Sequence, residues 1–174
     1  MKIFTLILYV ATLLIANPAR ALERQILDVY DRAEIPLQQS YVDEAGERRR
    51  LGSSQSKLRI VNFWATWCQP CIEELPSLVW LDQQFDDRQI EVMTIAVKSK
   101  TPQEARDFLN RIGVKSLPSY VDPKAKLASE AGIYTVPYTI VLNAKGEEIA
   151  RVVGIADWRD RSLVAGIKQL LSLQ

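Results

Sequence analysis

Leu58-Arg59-Ile60-Val61-Asn62-Phe63-Trp64-Ala65-Thr66-Trp67-Cys68-Gln69-Pro70-Cys71 joins two periodicities in one short stretch. Leu58 to Trp64 is an apolar, β-branched and aromatic run, as expected for a strand buried on both faces. From Pro70 to Phe85 the apolar residues Ile72, Leu75, Leu78, Val79 and Leu81 fall near helical spacing. Pro70 suits a first helical turn, because its missing N–H has no helical partner there. Both cysteines therefore stand where a buried strand hands over to a helix.

Working outward, Glu91 to Val97 is a second strand of the buried type. Thr101-Pro102, with Glu104 behind it, opens a second helix that closes at Gly113. Strand, helix, strand, helix in that order point to a parallel α/β core with right-handed crossovers. Tyr120-Val121 reads as a short strand and Lys124 to Ala131 as a short helix ended by Gly132. Tyr138 to Leu142 and Glu147 to Val153, around the turn Asn143-Ala144-Lys145-Gly146, read as an antiparallel hairpin. A last helix covers Arg159 to Leu173. Towards the N-terminus, Leu22 to Ile35 is charged and loosely helical, ended by Pro36. Leu37 to Val42 and Arg48 to Leu51 flank Asp43-Glu44-Ala45-Gly46 as a hairpin, with Arg48-Arg49-Arg50 a solvated strand edge.

A chain of 174 residues with about a quarter of them charged suits one globular domain with a sizeable core. Its formal net charge of +1 gives no long-range field to collect nucleic acid or acidic substrates. The leader Met1-Lys2, the apolar stretch Ile3 to Ile15 and Ala19-Arg20-Ala21 have the layout of a secretory signal peptide with an A-x-A cleavage site. The alternative is a retained short membrane anchor, although the stretch is below the ~20 apolar residues of a usual spanning helix.

Only two cysteines are present, and an exported protein meets an oxidising compartment in which they can pair. The first-turn amides of a helix are unpaired and its dipole is positive there, so a thiolate at Cys68 would be stabilised as a nucleophile. Cys71, one turn on, lies on the same face, giving an exposed attacking sulfur and a sheltered resolving one. Three blander readings compete. A purely structural disulfide would close too small a loop to constrain the unfolded chain much. A zinc site lacks half its ligands in a chain with no histidine, and haem attachment needs a histidine where Ile72 stands.

Val61 to Cys71, followed by Glu74 and Pro76, resembles the exported thioredoxin-like proteins grouped around TlpA, ResA and DsbE. The likeness extends through Val136-Pro137-Tyr138, Lys145-Gly146, Gly154 and Ala156-Asp157-Trp158, covering roughly Leu37 to the C-terminus. It implies an α/β thioredoxin-like fold, a central mixed β-sheet flanked by helices with an N-terminal β-hairpin extension. The chain then divides into a leader (1–21), an N-terminal segment (22–36) and a thioredoxin-like domain (37–174).

The resemblance also places site residues. Val136-Pro137 matches the family's cis-proline loop, which pairs its backbone with substrate beside the cysteines, and Trp67 lines the surface around Cys68. Trp64 reads as core. Pro76 matches the proline that bends the active-site helix. Asn62 stands where cytosolic thioredoxins carry a buried aspartate, and an amide cannot take a proton. Glu74 matches an acidic residue that ResA-like members place near the cysteines; half-buried, its raised pKa would let it accept the Cys71 proton. Glu73 is left to solvent, and the blander alternative makes Glu74, like it, simply a helix-surface charge.

Residues and resemblance together imply a periplasmic or otherwise exported thiol:disulfide oxidoreductase, a monomer needing no cofactor and no metal. It would reduce client-protein disulfides, as in cytochrome c assembly, and be recharged by a membrane electron-donor protein. Its rivals are an oxidase or isomerase of disulfides and a non-catalytic binding module on the same scaffold. A peroxidase usually needs a different cysteine context and an activating arginine, and neither is visible.

Overall fold

A computed structural model describes residues 27–34 and 36–174; the leader read at 1–21 lies outside the described residues, as do 22–26 and 35. In chain order the elements are β1 (Asp28–Val29), β2 (Ser40–Val42), β3 (Arg48–Arg50), β4 (Leu58–Trp64), α1 (Gln69–Asp82), β5 (Ile90–Val97) and α2 (Pro102–Arg111). There follow β6 (Tyr120–Asp122), α3 (Lys126–Glu130), β7 (Tyr138–Asn143), β8 (Glu148–Val153) and α4 (Arg161–Ser172).

Every residue of β4 is buried, as its unbroken apolar run requires of a strand covered on both faces. It lies at the middle of one mixed sheet of order β1-β8-β7-β4-β5-β6-β2-β3. β5 pairs with it in parallel and β7 antiparallel, from Phe63↔Tyr138 to Leu58↔Asn143. That register sets the start of β7, and the loop before it, beside the end of β4 from which the cysteines follow. The expected N-terminal hairpin extension is β2–β3. It joins the sheet through Val42↔Val121, and the exposed arginines of β3 form the outer edge, where charge discourages pairing with another chain. Among the described residues no helix is long and apolar enough to cross a membrane.

The expected helix over 22–35 is corrected where the segment is described. Asp28 and Val29 form a strand on the edge of β8, paired with Arg151 and Ala150. Leu27 is buried, its side chain against Gly166 of α4. Tyr30 donates from its hydroxyl to Glu148 at 2.7 Å. Local charge patterning suggests a helix, but an open strand edge and a pocket for Leu27 offer more than propensity can.

The β7–β8 turn sits tightly against the segment entering β4. Gly146 has φ +81°, and a Cβ there would lie 2.5 Å from the Leu51 carbonyl oxygen and 2.7 Å from that of Gly52. Both the left-handed backbone and the clash oppose a side chain. Gly146→Ala is expected to lower unfolding free energy by at least about 2 kcal/mol, measurable by urea denaturation; an unchanged midpoint would contradict this packing.

Candidate active site

β4 ends at Trp64, and the chain turns so that Cys68 becomes the N-cap of α1, its amide donating to the Ala65 carbonyl at 3.0 Å. The Cys71 backbone N–H donates to Cys68 Sγ at 3.2 Å, and Cys68 and Cys71 form a disulfide with their Cα atoms 5.3 Å apart. A side-chain sulfur thus occupies the position in which serine or aspartate usually caps a helix, at the positive end of the dipole. Pro70 lies in the first turn, and Pro76, inside α1, leaves one helical amide bond unmade.

Facing the sulfurs is the loop before β7, where Val136-Pro137 is a cis peptide. The Val136 carbonyl oxygen is 3.5 Å from Cys68 Sγ, and the Pro137 carbonyl accepts the Gly154 N–H at 3.1 Å. The Tyr138 hydroxyl accepts from Arg151 at 2.6 Å, and Arg151 is ion-paired with buried Glu148 at 2.7 Å. The end of the cis-proline loop and the start of β7 are therefore tied to Gly154 and to Arg151 of β8 and, through Glu148 and Tyr30, to the N-terminal segment.

The expectation of an exposed attacking sulfur needs correction: within the disulfide Cys68 is 4% exposed and Cys71 1%. The Val136 carbonyl lies against Cys68 Sγ on one side and the first-turn amide of Cys71 on another. Exposed rings lie next to the disulfide in the chain and in the cis-proline loop instead. Trp67 is 67% exposed and Tyr134 84%, and both line a groove of about 180 Å³ that includes Lys98, Ile133 and Val136. Large apolar rings left this open on a folded surface commonly mark a contact site. Trp67, Val136 and Pro137 are thus brought beside Cys68, while Trp64 is fully buried against Phe108, as expected of core. Sequence reading missed Tyr134; its position just before Val136-Pro137 was the available signal.

Glu74 is 2% exposed rather than half-buried. Trp158 Nε1–H donates to its Oε1 at 2.6 Å, and Oε2 has no hydrogen-bond partner. Burial pushes the carboxyl up to about 7, against the lowering effects of the Trp158 hydrogen bond and of the Ala156 backbone amide. Glu73 points to solvent, accepting from Gln69 at 3.2 Å. Asn62 is buried and donates to the Thr139 hydroxyl at 2.9 Å, which makes it a bond between β4 and β7 and no proton acceptor. Among the described residues no three metal-ligating side chains cluster.

Residues 32–150 match the AhpC/TSA family. The chain belongs to that family. Within this thioredoxin-like group, it is 37% identical over 98 residues to the thiol:disulfide interchange protein HelX of Rhodobacter capsulatus. That match covers 56% of this chain and 53% of HelX, so the chain spans about half the length of that curated relative. Similarity to the thiol:disulfide interchange protein CycY of Rhizobium leguminosarum is 29% over 150 residues, covering 80% of this chain and 78% of CycY. The structure of StoA from Bacillus subtilis superposes with a TM-score of 0.58 at 25% identity, covering 79% of this chain and 96% of StoA. The expected thioredoxin-like fold and the kinship with ResA- and DsbE-type proteins are both borne out.

Proposed function

We propose that this chain is an exported thiol:disulfide oxidoreductase that reduces disulfides in client proteins through Cys68 and Cys71. The observation that carries this reading is the capped sulfur: the Cys71 N–H donates to Cys68 Sγ at the N-terminus of α1, beside the cis-proline loop. Negative charge on Cys68 is stabilised by that amide and by the helix dipole. In the dithiol form the Cys68 thiolate attacks one sulfur of a client disulfide, forming a mixed disulfide and expelling the other client sulfur as a thiolate. Cys71 then gives its proton to Glu74 and attacks Cys68 Sγ. The Cys68–Cys71 disulfide forms, the second client sulfur leaves, and two electrons have passed to the client.

Trp67, Val136 and Pro137 hold the client segment, and the apolar rim with Tyr134 adds contact area. Because the product is the disulfide, a dithiol donor at the membrane restores the reduced form. Clients whose cysteines must be free to take haem fit this role, as the family resemblance implies. The leader at 1–21 delivers the chain to the compartment where such disulfides form. Equilibration of the oxidised protein with dithiothreitol, followed by tryptophan fluorescence, tests the direction. A potential near about −270 mV is expected; one near about −120 mV would make the protein an oxidant and overturn the reductive reading.

A further inference from the structure

Trp158, in the segment joining β8 to α4, is fully buried, and no chemistry attaches to it in the sequence. It is nevertheless fastened to α1 at two points. Its backbone N–H donates to Ser77 Oγ at 3.1 Å, and Ser77 Oγ in turn donates to the Glu74 carbonyl at 2.8 Å. Its indole N–H donates to Glu74 Oε1 at 2.6 Å. Glu74 Oε2 is buried with no hydrogen-bond partner. An indole nitrogen can donate and never accept. Oε1 therefore stays an acceptor whether or not the carboxyl is protonated, and because a protonated oxygen is the weaker acceptor, keeping this bond at full strength favours an incoming proton on Oε2.

We propose that Trp158 is a positioning residue that fixes the rotamer of Glu74 and assigns Oε2 as the oxygen that takes the Cys71 proton. This rests on the reading of Glu74 as proton acceptor. Cys71 and Glu74 stand three residues apart on one helix face, both buried. The charged groups near Trp158 in the chain, Asp157 and Arg159, are ion-paired with each other at 2.7 Å and exposed. Among the described residues no ion pair includes Glu74, so its proton is governed by burial, by Trp158 and by the neighbouring Ala156 amide. Removing the indole donor frees the carboxyl to rotate and withdraws a hydrogen bond that favours the ionised form.

The test uses the oxidised full chain, in which no thiol titrates, with the Glu74 carboxyl followed by ¹³C NMR and assigned from Glu74→Gln. Trp158→Phe keeps the aromatic bulk and lacks the N–H. Its carboxyl midpoint is expected to rise by about one pH unit, because a hydrogen bond holds a charged acceptor that much more strongly than a neutral one. The midpoint for client release by Cys71, read in single-turnover resolution, should rise with it. An unmoved or lowered carboxyl midpoint would overturn the proposal. In the wild-type chain, should the variant not fold, the Trp158 indole N–H resonance must titrate with the Glu74 midpoint; a pH-invariant indole signal overturns the proposal equally. If instead Glu74→Gln leaves the pH profile of resolution intact, the reading of Glu74 itself fails, whatever the indole does.

Discussion

Cys71→Ser is expected to convert the protein from a turnover reductant into a trap, with multiple turnover of a disulfide substrate falling by at least about a thousand-fold because the two cysteines act as one unit. Cys68 keeps its place as N-cap in this variant, and the amide of residue 71 still points at its sulfur. The first displacement therefore proceeds and leaves a client joined to Cys68. A serine hydroxyl cannot displace it by forming a disulfide, so the adduct accumulates and survives on a non-reducing gel. Cys68→Ser should give neither turnover nor adduct. A purely structural disulfide makes a different forecast. Opening so small a loop would cost roughly 2 kcal/mol of stability by chain entropy and produce no adduct with any client. A Cys71→Ser protein that is less stable yet captures nothing would sink the redox reading.

The difference between what the sequence displays and what it conceals is one of contact distance along the chain. β4 and α1 are legible because each satisfies a local pattern: an unbroken apolar run in Leu58–Trp64, and helical spacing through Leu75, Leu78 and Leu81 behind Pro70. The hairpin β7–β8 is legible because Asn143 to Gly146 is a local turn. β1 is not, because its partner is the edge of β8, where Asp28 meets Arg151, and no local feature announces an edge that distant. The cis peptide at Val136-Pro137 follows from family resemblance and not from the residues themselves, since few X-Pro bonds are cis. Glu74 shows both sides. Its place on the face of Cys71 is helical arithmetic, but its buried partner is Trp158, 84 positions further on. Arg151 is equally opaque: its ties to Tyr138 and Glu148 connect the cis-proline loop to Tyr30 in a segment read as helical.

Glu74→Gln is expected to remove a loss of stability with rising pH that the wild-type protein carries. Burial raises the Glu74 carboxyl from its ordinary 4.5 to about 7 in the folded chain. The fold thus holds this proton more tightly than the unfolded chain does, and its stability falls as pH rises. No penalty exists below pH 4.5, it grows through the window between 4.5 and 7, and above 7 it is complete. At about 1.36 kcal/mol per pH unit it amounts to about 3 kcal/mol. Glutamine has no proton to lose and carries none of this slope. Its carbonyl still accepts from Trp158, but its amide replaces an oxygen that has no partner. The amide brings two N–H donors where the protonated carboxyl brings one O–H, and one further unmet buried donor costs about 1–3 kcal/mol. Urea unfolding of the two oxidised proteins should therefore find the variant weaker near pH 4.5 and gaining on the wild type by about 3 kcal/mol by pH 8. Other titrating groups are common to both proteins and cancel in the difference, so parallel stability curves would rule out a buried, proton-holding Glu74. Activity should run the opposite way. Below pH 7 the wild-type carboxyl already holds a proton and cannot take one from Cys71, so resolution of the mixed disulfide slows as the fold becomes more stable. The carboxylate form that does the chemistry is the one the fold least favours, and Glu74→Gln removes the stability penalty and the proton acceptor together.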